Sequence, residues 1–186
     1  CRCADAIHSP SRAIQIMHGH QLTHRFLLFL LDVIAQNQQR NGNYAYQQYV
    51  YYTAKNDPCL ISVTKSISPA DGAHVVVPFF AEDLGGGTKR LYVYDPNRSY
   101  YEAGAAGHDY YHNRQNFIEI TAGGTWTFTM DGGEVYTGNP GSGGNCVVIP
   151  ISVAGRKDRL PQSLFAEGSY ALNSIFIFGK NTHLRQ

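Results

Sequence analysis

A change of texture at Lys55-Asn56-Asp57-Pro58 divides this chain. Beyond it, apolar runs of strand length follow one another, each bounded by Gly, Pro, Asn or Ser. They are Cys59-Leu60-Ile61-Ser62-Val63, the run from His74 to Phe80, Leu91 to Tyr94, Phe117 to Ile120, Thr125 to Thr129, Cys146 to Ile149 and Ser174 to Phe178. Ahead of it, Ser9-Pro10-Ser11 supplies an N-cap and a proline at the first helical position, which predicts a helix from Pro10 to about Arg40, stopping before Asn41-Gly42. The middle of that helix, Phe26 to Leu31, is apolar all round and is expected to be buried on most sides. Tyr44 to Thr53 reads as a short helix, because a strand follows so soon. Helices first and strands afterwards predict an α+β fold, with N-terminal helices packed on an antiparallel sheet. The expectation is a single domain over 1–186, helical to about 55 and β-rich from about 56. Gly85-Gly86-Gly87 is expected to be a hairpin turn and Gly138 to Gly144 a loop. There is no internal repeat and no charge block.

Composition narrows the function classes. Lys and Arg number 15 against 14 Asp and Glu, and a net charge of +1 does not supply the basic excess of a general nucleic-acid binder. Charged residues are 16% and aromatic residues 12%, a balance that excludes intrinsic disorder. The longest apolar run ends at Asp32, far short of the ~20 residues that span a bilayer, so no membrane span is expected. Four cysteines are too few for a disulfide scaffold. A chain that opens on Cys1-Arg2-Cys3 and not on Met is expected to have been trimmed upstream.

One constellation points to chemistry. If the hairpin turn centres between Leu84 and Gly85, residues whose numbers sum to 169 face each other, and His74 stands across from Asp95. Facing side chains have Cβ atoms about 5 Å apart, so Asp95 can accept the Nδ1 proton of His74 and stabilise its imidazolium. The plainer reading makes His74 a half-buried strand histidine and Asp95 the first residue of an Asp-Pro-Asn turn. A nucleophile for such a base would be a cysteine near a helix N-terminus, where the thiol pKa is lowered. Cys1 and Cys3 precede a short potential turn from Ala4 to His8, whereas Cys59 and Cys146 lie in apolar strands and are expected to be packing residues.

The stretch Ala73 to Pro78, the glycine turn, and Leu91-Tyr92-Val93-Tyr94-Asp95-Pro96-Asn97 together resemble papain-like cysteine peptidases. The nearest branch holds the bacteriocin-leader-processing peptidases and their bacterial surface relatives. His18-Gly19-His20-Gln21-Leu22-Thr23 and Gly124 to Phe128 resemble further segments of those surface relatives, so the likeness runs from Cys1 to about Pro161. It implies a papain-like fold, secretion or surface location, a peptide or protein substrate, and a Cys-His-Asp triad acting through an acyl-enzyme. Carried over, Cys1 is the nucleophile, His74 the general base and Asp95 the orienting carboxylate. Two departures accompany it. Cys3 and Ala4 stand where relatives have Gly and Met, which leaves Cys3 as an alternative nucleophile, and the oxyanion-hole Gln of relatives would lie upstream of Cys1.

His20 and His24, near His18, are four apart, as are His108 and His112, a spacing at which one helical face can share a metal. Neither pair carries the Glu of an H-E-x-x-H motif, and no metal or other cofactor is expected. The alternative to the enzyme is an inactive binding or structural module on the same fold, its tyrosines contacting a partner. Oligomeric state is left open.

Overall fold

The computed structural model describes residues 23–68, 71–95, 115–130 and 133–155. Helix α1 spans His24–Ala35 and α2 spans Gly42–Ala54. The strands among the described residues are β1 Cys59–Thr64, β2 Ala73–Gly85, β3 Thr88–Tyr94 and β4 Phe117–Ile120, then β5 Trp126–Thr129, β6 Val135–Asn139, β7 Ser142–Gly143 and β8 Cys146–Pro150. One helical turn, α3, Ile151–Ala154, follows directly. The fold is α+β, and all neighbouring strands pair antiparallel in the order β7-β6-β5-β4-β3-β2-β1-β8.

Helix α1 corrects the expected helix at both ends. Thr23 is extended, and its hydroxyl accepts a hydrogen bond from the Phe26 amide at 3.4 Å, so the helix starts there and is not continuous from Pro10. After Ala35 the chain turns through Asn37, at φ 54°, well before Arg40. Residues 10–22 lie outside the described residues. The expected burial on most sides is corrected as well. Phe26 and Val33 are buried, but Leu28, Leu31 and Ile34 are 51%, 55% and 49% exposed. The helix lies at the edge of the sheet, where Phe26 packs on Ile149 of β8 and Ala154 of α3, and that contact covers a single stripe.

Helix α2 forms where expected. The Asn41 side-chain oxygen accepts from the amides of Asn43 and Tyr44 at 3.0 and 3.4 Å, and its amide donates to Gln38 Oε1 at 2.9 Å. Asn41→Ala is expected to cost about 1 kcal/mol, measured as a lower midpoint in urea unfolding; an unchanged midpoint would show that the cap contributes nothing.

The sheet is curled, and the connectivity shows why. Strands β7 and β8 lie at opposite edges, yet only Gly144 and Asn145 separate them. The three Cα-to-Cα steps from Gly143 to Cys146 reach about 11 Å at most. The edges of a flat eight-stranded sheet, at about 4.8 Å per strand, would stand about 34 Å apart. The edges therefore meet. At the seam, Gly144 N donates to Thr137 O and Thr64 N to Asn145 O, each at 2.9 Å, while Asn145 N donates to the Thr64 hydroxyl at 2.8 Å. The concave face carries the main core, in which Ile61, Val76, Leu91, Ile118, Trp126 and Phe128 are fully buried and against which α2 sets Ala45 and Tyr49.

The loop expected from Gly138 to Gly144 is instead a tight hairpin. Gly138 pairs with Gly143 and Asn139 with Ser142, and the Asn139 side-chain oxygen accepts from the amides of Gly141 and Ser142. Strands β6 and β7 and helix α3 are additions to the sequence reading, while Ser174 to Phe178 lies outside the described residues.

Candidate functional site

The site begins at the hairpin of β2 and β3. Its turn residues, Gly86 and Gly87, have φ of 61° and 84°, the left-handed conformation that a two-residue hairpin turn requires. Gly85 pairs with Thr88, then irregularities between Asp83 and Gly85 and between Pro78 and Phe80 shift the ladder twice. By Val77↔Tyr94 the paired numbers sum to 171, not 169. His74 is thus not directly opposite Asp95, which corrects the expected register. Asp95 falls level with Val76, one diagonal step away. A displacement of two residues leaves a side chain on the same face, and diagonal neighbours remain within reach of long side chains.

The two side chains do meet. His74 Nε2 lies 2.8 Å from Asp95 Oδ1, with the side chains only 10% and 3% exposed. The carboxylate can only accept, so Nε2–H is the donor. This corrects the nitrogen expected from the sequence: the diagonal offset brings the far side of the ring to Asp95. Nδ1 has no hydrogen-bond partner among the described residues.

The curl supplies the other walls. In strand order β2 is four steps from β6, about 19 Å along a flat sheet. Across the concave face, however, the His74 ring lies 6.4 Å from the Tyr136 ring and 6.2 Å from the Phe128 ring, nearly parallel to the latter at 10°. Beside them, Lys65 bridges to Glu134, and its ammonium stands 5.7 Å from the Tyr136 ring centre. Burial raises the Tyr136 phenol above its ordinary pKa; Glu134 and Asp95 act in the same direction and Lys65 opposes them. Asn116, also buried, donates from its side chain to Val93 O at 3.1 Å and holds β3 just before Asp95. The sequence reading did not identify Phe128, Tyr136, Lys65 or Glu134 as neighbours of His74. The alternation of Trp126 and Phe128 marks a buried strand face, but which strand that face meets depends on the curl.

Cys1 and Cys3 lie outside the described residues, as do His18, His20, His108 and His112. His24 opens α1. The described cysteines, Cys59 and Cys146, are free and buried, and each thiol is pushed up to about 12, Cys59 by burial and then by Asp57, Cys146 by burial. Neither forms a thiolate near neutral pH, so both are packing residues in the chemistry available to them. Cys146 and His74 each pair with Val63, on either side of β1, which sets the thiol two strands from the imidazole. Among the described residues no cluster of three or more His, Cys, Asp or Glu side chains is placed to hold a metal ion. No described helix is long and apolar enough to cross a membrane.

The arrangement can hold an imidazole in one tautomer and stabilise it when charged, which is what a general base next to a nucleophile requires. No protein-family model, curated protein or solved structure matches this chain.

Proposed function

We propose that the chain is a papain-like cysteine hydrolase or transferase acting on the amide bonds of a peptide or protein. The observation that carries this reading is the buried 2.8 Å contact between His74 Nε2 and Asp95 Oδ1. Asp95 fixes the ring with Nε2 protonated, which leaves Nδ1 as the basic nitrogen. In the proposed reaction Nδ1 takes the thiol proton of Cys1, with Cys3 as the alternative, and the thiolate attacks the amide carbonyl. The protonated imidazole then gives that proton to the departing amine. An acyl-enzyme remains, which water or a second amine resolves.

The test is the location of the reactive thiol. Iodoacetamide at mildly acidic pH is expected to alkylate Cys1 or Cys3 rapidly and to spare Cys59 and Cys146, as peptide mass spectrometry would read. Slow, uniform labelling of every accessible thiol would end the enzyme reading.

A second reading, an inactive module that binds a partner on a bacterial surface, is favoured by one specific observation. Val77, Phe79 and Leu84 on β2 are 41%, 45% and 46% exposed, three large apolar side chains open to solvent on the long hairpin. Under this reading the His74–Asp95 contact serves the core alone.

A further inference from the structure

We infer that Phe128 and Tyr136 are positioning residues for His74, clamping its imidazole in the plane that keeps Nε2 on Asp95 and Nδ1 available. The inference rests on the hydrolase reading for what the clamp is used for; the clamp itself is tested separately.

A histidine ring turns about its last side-chain bond over a broad, roughly two-fold surface. One hydrogen bond at Nε2 restrains the position of that atom and leaves the ring plane to its neighbours. Here the neighbours are two aromatic rings that themselves form a rigid pair. Phe128 and Tyr136 are direct cross-strand partners on β5 and β6, with ring centres 6.4 Å apart. They are 0% and 4% exposed, so neither can swing away into solvent. The Phe128 ring lies nearly parallel to the His74 ring, at 10° and offset, with centres 6.2 Å apart, and Tyr136 meets it at 36° with centres 6.4 Å apart. Turning the His74 ring out of this plane would drive its edge toward that buried pair. On the outer side, Lys65 is held near the Tyr136 ring by its ion pair with Glu134. The contact to His74 involves the ring of Tyr136, so removal of the hydroxyl in Tyr136→Phe should leave the clamp intact.

The experiment uses the full chain labelled with ¹⁵N and follows the His74 ring nitrogens by long-range ¹H–¹⁵N correlation at neutral and alkaline pH. In the unsubstituted protein a single neutral tautomer with the proton on Nε2 is expected. Phe128→Leu and Tyr136→Leu should each show mixed tautomers, and thiol alkylation at pH 6 should slow about tenfold, the scale of a small misplacement. Tyr136→Phe should keep the native spectrum and rate. Averaged tautomers in the unsubstituted protein, or a native spectrum in folded leucine variants, would overturn the inference. If the leucine variants do not fold, the unsubstituted and Tyr136→Phe spectra decide it. Expected spectra combined with alkylation that never depends on His74 would keep the clamp and sink the hydrolase reading.

Discussion

Replacing His74 by alanine is expected to slow alkylation of the reactive thiol at pH 6 by about 10²-fold. A free cysteine titrates near 8.5, so only a small fraction is thiolate at pH 6, whereas a cysteine paired with an imidazolium is largely ionised there. The gain in thiolate is partly offset because a thiolate of lower pKa is intrinsically less nucleophilic. Asp95→Asn separates two roles of the carboxylate. An asparagine oxygen still accepts from Nε2–H at the observed 2.8 Å and preserves the ring's position, but it removes the negative charge that stabilises the imidazolium. Its expected effect is about tenfold, smaller than loss of the ring. Asp95→Ala, which removes both roles, should approach His74→Ala. Native alkylation rates in all three variants, with folding verified by circular dichroism, would show that the pair belongs to the core and has no part in activating a thiol.

The second large effect is expected at Gly144, in the seam where the sheet closes. A Cβ placed there would lie 1.6 Å from the Thr64 carbonyl oxygen and 2.6 Å from its carbon. Both are backbone atoms of a buried strand end, so no side chain can move aside. Relief requires β1 and β8 to separate, which would strain the Thr64–Asn145 hydrogen bonds. Gly144→Ala should therefore cost about 4 kcal/mol or more, in the range reserved for outright steric conflict. At about 2–4 °C per kcal/mol for a chain of this size, the thermal midpoint should fall by roughly 10 °C. Gly141→Ala is the internal control, because its added carbon would meet nothing closer than Asn139 Oδ1 at 3.5 Å. Equal midpoints for the two variants would show that the seam is looser than described.

The strand composition of the sheet was legible because apolar runs bounded by turn residues carry their own signal. Cys59 to Val63 and Phe117 to Ile120 fall on strands with bounds the same or one residue different. The His74–Asp95 contact was legible for a subtler reason. The turn centres between Gly86 and Gly87, two residues later than expected, which raises the sum of paired numbers from 169 to 173, and two bulges bring it back to 171; the net displacement is even, so the side chains stay on one face. What the sequence could not disclose is non-local. Nothing in Val135-Tyr136-Thr137 states that Tyr136 meets an imidazole on a strand four places away; that follows from the two-residue link between opposite edges. The exposed face of α1 escaped notice because a run such as Phe26 to Leu31 looks alike whether a sheet covers one side of the helix or all of it.

The closed seam also sets an order of events in time. The contacts that hold β1 against β8 join residues far apart along the chain, Thr64 with Asn145 beside the seam at a separation of 81 and Asp57 with Ser152 at the other end of the ladder at 95. Local hairpins such as β2–β3 can form early, since their loops are short, but pairings at long separation must first overcome the entropy of closing a large loop. The Phe128 and Tyr136 rings reach His74 only once that closure is made. A nascent chain released before Cys146 would hold His74 and Asp95 on a finished hairpin with no seam behind them. The aromatic walls beside the imidazole therefore depend on the longest-range pairings of the sheet and not on the hairpin that carries His74 and Asp95.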